Sequence, residues 1–437
     1  MNLESEEFED ILEEMHEYVY ETINDHLIQF SNKNFHENII DACTWYFLSI
    51  GLIQEWCIED DEEEIENIIE FIYNTVVYDV LNIPKRQVFT PVKMICNQPE
   101  TIASILKVVN SYPIQKQRSQ GWYDVRKNCF SASNLWKLFG TPSQLNSLLY
   151  EKCKPIDIHK HGYNGISNLN TPLNWGIKYE PVSVMIYEDM YNTTVNTNYG
   201  CIPHTTLPIG ASPDGIVNDP ESTQYGHMVE IKNIFNRDIT GIPSEDYWIQ
   251  MQIQLETTGL TYCDFLETRF KEYPTGEAYY EDTAQKYKGI ILYFIPLDGV
   301  ADVESKFVYK PLRSEEQTWI DAEITHHETT HVLYETMYWY LDEVSCVLVE
   351  RNSVWFSKTI PVITEAWQIV QKERVEGFEH RAPQKRKPKF EESIIPSSSL
   401  ELLEKGSGSE HGVKNIQVVP VAVCLIKLDE NGNVIKA

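Results

Sequence analysis

The sequence predicts an α/β (α+β) core, a mixed central sheet flanked by helices, preceded by an all-helical N-terminal domain. Three observations carry this. Residues 1–110 repeat apolar side chains at helical spacing. From about 113 onward Pro, Gly and Asn become frequent, and helix and strand signals alternate over roughly 260 residues. The 437 residues are 42% hydrophobic and 12% aromatic, which excludes a chain that is disordered throughout. The expected division is an acidic helical domain at 1–110, an α/β domain at 111–380, and a basic, Ser/Gly-rich linker with a terminal hairpin at 381–437.

In the first segment Phe8, Ile11, Leu12, Met15, Tyr18 and Val19 fall on one helical stripe. Asp41 to Cys57 and Glu64 to Val80 repeat the pattern. Between them, the acidic run Glu59 to Glu64 reads as a solvated helix start, where carboxylates suit the dipole. In the second segment Val125 to Leu138, Asn174 to Tyr187 and Asp246 to Thr258 read as helices. Gly215 to Asn218, His227 to Ile234, Tyr262 to Leu266 and Gly289 to Ile295 read as strands. Two long helices are expected at 314–349 and 359–377. Beyond them Lys385-Arg386-Lys387-Pro-Lys389 is a basic cluster suited to nuclear import or to touching DNA. Lys405-Gly-Ser-Gly-Ser409 reads as linker. Ile416 to Ile435, with a turn at Asp429 to Gly432, reads as a hairpin.

The net charge is −30, from 36 Lys plus Arg and 66 Asp plus Glu. Such an average argues against diffuse, charge-driven nucleic-acid binding. The average conceals its distribution. Residues 1–70 carry 21 acidic side chains and one basic one, Lys33, leaving 45 acidic and 35 basic groups for the rest. The acidity is therefore mainly a property of the N-terminal segment, which suits a basic protein partner better than a substrate. Nine Cys without CxxC spacing point to reduced, buried thiols rather than disulfides or zinc fingers. With no apolar leader in Met1 to Glu7 and no long apolar run, an intracellular protein without membrane contact is expected.

The most informative stretch is Gly210-Ala-Ser-Pro-Asp-Gly-Ile-Val217 followed by Met228-Val-Glu-Ile-Lys-Asn233. Ser-Pro-Asp-Gly is a turn sequence feeding a short strand. Strand side chains alternate, so Glu230 and Lys232 share a face, and the hairpin brings Asp214 alongside. Two carboxylates so placed suit a hard divalent cation such as Mg²⁺. A lysine beside them suits the attack of water on a phosphodiester. An ordinary hairpin with a surface Glu/Lys pair is the bland alternative. Glu180 precedes the strands on a helix, and Gln250 and Gln254 share one helical face after them, with Gln252 off it. Upstream, Arg126 offers a guanidinium fork for a phosphate. Lys116, Arg118, Arg126 and Lys127 with Trp122 and Tyr123 combine cations and aromatics as DNA-end binding requires.

The ordered set Trp122-x3-Arg126-x6-Ser133, Trp175-Gly-x3-Glu180, Ser212-Pro-Asp-Gly215, Glu230-x-Lys232 and Tyr247-x2-Gln250-x-Gln252 resembles the YqaJ-type viral recombinase family, phage-lambda-type exonucleases of the PD-(D/E)xK superfamily. The similarity covers roughly 115–310 and looks most like copies from large DNA viruses. It implies a restriction-endonuclease-like fold and a Mg²⁺-dependent deoxyribonuclease, with Mn²⁺ as a substitute, digesting one strand of duplex DNA from 5′ to 3′ by two-metal hydrolysis. It implies Asp214, Glu230 and the Ile231 carbonyl as metal ligands, Glu180 near a second metal, Lys232 on the attacking water and Gln250 as support. Arg126 and Ser133, with Trp122 and Ser131, would bind the 5′-phosphate. The implied partners are duplex DNA with free ends, a single-strand annealing protein and two further copies in a trimer. The setting would be viral recombination, repair or replication in the host nucleus or a cytoplasmic virus factory. Pro181 after Glu180 is expected to bend that helix or start a new one.

Two other classes compete. His327-Glu328-Thr-Thr-His331 matches HExxH, which on a helix holds zinc for a metalloprotease, with Glu350 at a spacing for a third ligand. A catalytically silent DNA-end-binding scaffold would have lost Asp214, Glu230 or Lys232, and all three are present. Cys153, His159 and His161 read as a polar loop rather than a metal site.

Overall fold

The computed structural model describes residues 5–50, 62–89, 99–115, 119–155, 171–298 and 303–383. The basic cluster at 385–389, the terminal hairpin, Lys116, Arg118, His159, His161 and Glu59 to Asp61 lie outside them. Every described helix and strand lies in one compact unit that ends at Pro383.

The chain opens with helices α1 (Ser5–His26), α2 (Phe35–Ser49), α3 (Glu62–Asn74) and α4 (Pro99–Val109). A π-helical turn, Thr75–Val80, extends α3. Met15, Val19 and Ile23 form the buried stripe of α1, continuing the spacing visible in the sequence. They meet Ile40, Cys43 and Phe47 of α2 and Ile65, Ile69 and Ile72 of α3.

The α/β part begins with α5 (Gln120–Lys127), β1 (Phe130–Ser131), α6 (Ala132–Leu135) and α7 (Pro142–Cys153). The continuous helix expected over Val125 to Leu138 is broken. Phe130 and Ser131 leave the helix to pair with a later strand, a long-range partner that local spacing does not reveal. Thr141 and Gln144 make a reciprocal capping box at α7, with Pro142 in the first turn. Then come α8 (Pro172–Tyr191), β2 (Val195–Asn196), β3 (Ile202–Pro203), β4 (Ile209–Ala211), β5 (Gly215–Val217) and β6 (Met228–Asn233). After them follow α9 (Glu245–Thr258), β7 (Tyr262–Glu272), α10 (Gly276–Glu281), β8 (Lys288–Pro296), β9 (Lys306–Tyr309), α11 (Glu316–His327), β10 (His331–Glu350) and α12 (Ser353–Glu376). Pro181 neither ends nor restarts α8, which runs through it. Gly259 closes α9 at φ +78°, where a side chain would be strained.

Seven strands form the main sheet in the order β2-β5-β6-β7-β10-β8-β9, and β1-β4-β3 form a small second one. Within the main sheet β6 and β7 run parallel, and α9 supplies the crossover between them. The other pairs are antiparallel. The sheet is therefore mixed, as expected. One face carries Val229, Ile231, Phe270 and Trp339, covered by Tyr179, Val182, Ile186 and Tyr187 of α8. The other carries Phe265, Val347 and Val349, in one apolar cluster with α9, α12 and the N-terminal helices.

The expected helix over 314–349 is wrong. Only Glu316–His327 is helical, and His331–Glu350 is the longest strand, paired with β7 on one side and β8 on the other. Leu333, Met337 and Leu341 mimic a helical stripe. The buried set is Met337, Trp339 and Leu341, then Val347 and Val349, a period of two interrupted by a bulge between Leu341 and Glu343. The last helix starts at Ser353, six residues earlier than expected, capped by the Asn352 side chain on Trp355 N.

Candidate active site

β5 and β6 form the expected hairpin, with Gly215 opposite Val229. Continuing that register by one residue sets Asp214 opposite Glu230. Asp214 is half-buried, and its Oδ2 accepts the Ile231 N–H at 2.9 Å. Gly215 follows because a Cβ there would collide with Val195 of β2.

Glu230 is wholly buried and accepts three hydrogen bonds. Its Oε1 accepts from Lys232 Nζ and from Gln250 Nε2 at 2.7 Å. Its Oε2 accepts from Gln254 Nε2 at 2.8 Å. Gln250 and Gln254, one helical turn apart, thus face Glu230 together. Gln252 turns away, to the Glu350 carbonyl and the Asn352 N–H. Lys232 Nζ also lies 4.7 Å from the centre of the Tyr247 ring, a cation–π contact that fixes the ammonium.

Glu180 on α8 completes the acidic group. Glu180 is exposed at the surface, but desolvation by the surrounding protein and then Glu230 raise its pKa, while Lys232 opposes. Burial, then Glu230, hold the Asp214 carboxyl well above its ordinary range, with Glu180 adding to the effect and Lys232 and the Ile231 N–H opposing. Burial works against the Lys232 ammonium, but Glu230 and Asp214 outweigh it and push its pKa up. Three carboxylates thus share one lysine.

Residues that sequence reasoning missed hold α8 in place. Asn233 donates to the Gly176 carbonyl at 3.0 Å and accepts from Ser183 at 2.7 Å and Thr268 at 2.8 Å. Lys178 and Tyr179 both donate to Glu272 Oε1 at 2.7 Å. Asn233 stands directly after the Glu-x-Lys motif, a polar residue at a strand end that could have been singled out. Lys178 and Glu272 are too far apart in sequence to have been paired.

A second cluster contains the other candidates. Arg126 Nη2 donates to Ser131 Oγ at 3.2 Å, and Ser131 Oγ lies 3.5 Å from Ser133 Oγ. The Arg126 guanidinium stacks 4.6 Å from the Trp122 ring centre. Ser131 is buried and Ser133 exposed. Ser119 caps α5 through Trp122 N. Parallel pairing of Ser131 with Gly210 ties this cluster to β4, the strand that leads to Asp214.

The donor set fits a hard cation in kind: two carboxylates on adjacent strands, a third nearby and a backbone carbonyl at Ile231. Among the described residues no three His, Cys, Asp or Glu side chains converge as a ready ligand set. The Glu230 oxygens already accept from Lys232, Gln250 and Gln254, which crowds the carboxylate without using every acceptor position.

The HExxH motif does not have the geometry its match requires. His327 is the last residue of α11 and His331 the first of β10, so they do not share a helical face. His331 uses Nδ1 with Thr330 at 2.8 Å and Nε2 with the Glu304 carbonyl at 3.1 Å. Cys153 is buried, with its Sγ 3.8 Å from the Val370 carbonyl.

An uncharacterized protein of Acanthamoeba polyphaga mimivirus is 27% identical over 338 residues, 68% of this chain and 59% of that protein. This chain thus spans less than two thirds of that relative's length. Among solved structures, the alkaline exonuclease LHK-Exo from Laribacter hongkongensis covers 59% of this chain and 94% of its own, at 17% identity and a TM-score of 0.34. Its complex with dAMP gives 18% and 0.33 over the same shares. Residues 121–261 match the model described as the YqaJ-like viral recombinase domain, and they contain Arg126, Glu180, Asp214, Glu230, Lys232 and Gln250. The similarity to the YqaJ-like viral recombinase domain therefore covers residues 121–261, about a third of a longer chain.

Proposed function

We propose that the protein is a Mg²⁺-dependent deoxyribonuclease, with Mn²⁺ able to substitute, that degrades one strand of duplex DNA from a 5′ end. The observation that carries this reading is the shared environment of Asp214, Glu230 and Lys232 at adjacent strand ends, with Glu180 of α8 in the same field. Asp214, Glu230 and the Ile231 carbonyl would hold Mg²⁺, and Glu180 would serve a second ion. Such ions supply Lewis acidity and lower the pKa of water. Lys232, fixed by Glu230 and Tyr247, orients the attacking water toward the phosphorus. Gln250 and Gln254 hold Glu230 in place. Arg126, stacked on Trp122, takes the terminal 5′-phosphate with Ser131 and Ser133. The substrate is duplex DNA with free ends, and the remaining 3′ strand passes to a single-strand annealing protein during viral recombination, repair or replication. A trimer would make digestion processive.

Linear duplex labelled at either end, incubated beside a closed circle with Mg²⁺ or EDTA, tests this. The expected result is Mg²⁺-dependent loss of the linear form from its 5′ ends. Asp214→Ala and Glu230→Ala are each expected to reduce cleavage by about 10³-fold or more while the protein stays folded. Wild-type rates in either variant reject the mechanism.

A further inference from the structure

α5 carries Trp122 and Arg126, yet it has only eight residues, too few to hold a helix in water unaided. Its last carbonyls lack partners within the helix, and two cations supply them, Lys152 buried and Arg374 half-buried. Lys152, 2% exposed, donates from Nζ to the Arg126 carbonyl at 2.9 Å. Arg374 donates from Nη2 to the Lys127 carbonyl, and from Nε and Nη2 to the Lys152 carbonyl at 3.1 and 2.8 Å. One guanidinium therefore ties the end of α5 to the end of α7.

Arg374 belongs to α12, outside the matched segment 121–261. Its guanidinium lies 5.2 Å from the Trp367 ring centre. Trp367 in turn meets Phe130 edge-on at 5.1 Å, and Phe130 directly precedes Ser131. The wall behind the arginine–serine cluster is thus built by α12. Both cations sit at the negative end of the α5 dipole. Burial lowers the pKa of each. Of the two, Lys152 has a carboxylate nearby, Glu151 at 3.4 Å. Their charge is otherwise spent on backbone carbonyls, in a poorly screened setting beneath Arg126.

We propose that Lys152 and Arg374 are positioning residues for DNA-end recognition. They fix the last turn of α5, so that the Arg126 fork meets a terminal phosphomonoester in one orientation, and thereby set the preference for phosphorylated over hydroxyl 5′ ends. This rests on the reading of Arg126 as the phosphate grip.

The test uses the full chain and two linear duplexes that differ only in a 5′-phosphate or a 5′-hydroxyl. The readout is kcat/KM on each. Arg374→Gln and Lys152→Met are each expected to cut the phosphate-to-hydroxyl ratio by roughly tenfold while the hydroxyl rate stays within about twofold. Arg374→Lys keeps the charge but not the fork, and restores part of the ratio. A merely structural role would lower both rates together and leave the ratio unchanged, and that result overturns the inference. If Arg374→Gln does not fold, Lys152→Met and Arg374→Lys decide by the same ratio. Arg126→Ala separates the two levels. An unchanged ratio there overturns the phosphate grip itself. A lost ratio there, with Arg374→Gln and Lys152→Met unaffected, overturns only the positioning role.

Discussion

At the scale of single residues the site is a charge imbalance held by hydrogen bonds. Asp214 and Glu180 have raised pKa values because desolvation and Glu230 disfavour a second and third negative charge. A carboxyl whose folded pKa is raised favours folding below its unfolded value, and that contribution is lost as pH rises through the folded value. In EDTA the wild-type protein should therefore lose melting temperature, relative to Asp214→Asn, as pH rises above the ordinary carboxylate range. Near neutral pH the variant should be the more stable of the two, and Mg²⁺ should narrow the gap by stabilising only the wild type. Thermal melts from pH 4 to 8, with EDTA or Mg²⁺, check this. A gap independent of both pH and Mg²⁺ would show that Asp214 is not part of a repelling, cation-seeking group. The residues of this site were legible in the sequence because each obeys a local rule. Ser-Pro-Asp-Gly makes a turn, Glu-x-Lys alternates on a strand, and Gln250 and Gln254 lie one helical turn apart. What local rules did not give is the crowding of Glu230, which accepts at once from one donor on its own strand and two on a helix.

At the scale of elements, α8 must lie against β6 for Glu180 to share the field of Glu230. Asn233 is the joint. Its side chain accepts from two buried hydroxyls, Ser183 and Thr268, and donates to a carbonyl of α8. Asn233→Ala leaves those groups short of partners in an apolar setting, at a cost of about 1–3 kcal/mol for an unsatisfied buried group. Urea denaturation should show a loss of about 2 kcal/mol. Nuclease activity should fall in the folded variant as α8 loosens. Unchanged stability would mean that Lys178, Tyr179, the Ser183–Thr268 hydrogen bond and the apolar face suffice to hold α8. Elements with their own signature, such as the hairpin β5–β6 and helix α9, were readable. β10 was not, because its alternating apolar set is broken by bulges and overlaid by a false helical spacing. β1 was not either, because two residues become a strand only through β4, some 80 residues later.

At the scale of the whole molecule, the acidic helical segment and the α/β part share one core. Trp248 of α9 packs on Phe30 at 5.8 Å and on Trp355 of α12 at 5.0 Å. Trp355 Nε1 donates to the Ile28 carbonyl at 2.9 Å, and Ser31 Oγ to Glu245 at 2.8 Å. Arg86 joins them most directly. Its guanidinium donates to the Phe30 carbonyl at 3.1 Å and the Pro243 carbonyl at 3.2 Å, and lies 5.0 Å from the Trp248 ring centre. Burial brings its pKa down to about 10, against the pull of Glu245, so it stays charged at neutral pH. A charged fork on two carbonyls is worth about 1.5–3 kcal/mol per bond, more than the exposed acidic residues of α1 contribute. The helical segment should therefore melt with the α/β part, whereas its composition alone suggests a detachable domain. Scanning calorimetry of the full chain should show one transition for the helices and the sheet together. Arg86→Met should shift that transition downward as a unit, by about 4–8 °C per 100-residue equivalent for each kcal/mol lost, and correspondingly less for a body of this size. Two resolved transitions, with Arg86→Met moving only the lower one, would establish that the acidic helices fold apart from the sheet. The acidity would then belong to a separate module and not to the back wall of α9, the helix that presents Gln250 and Gln254 to Glu230.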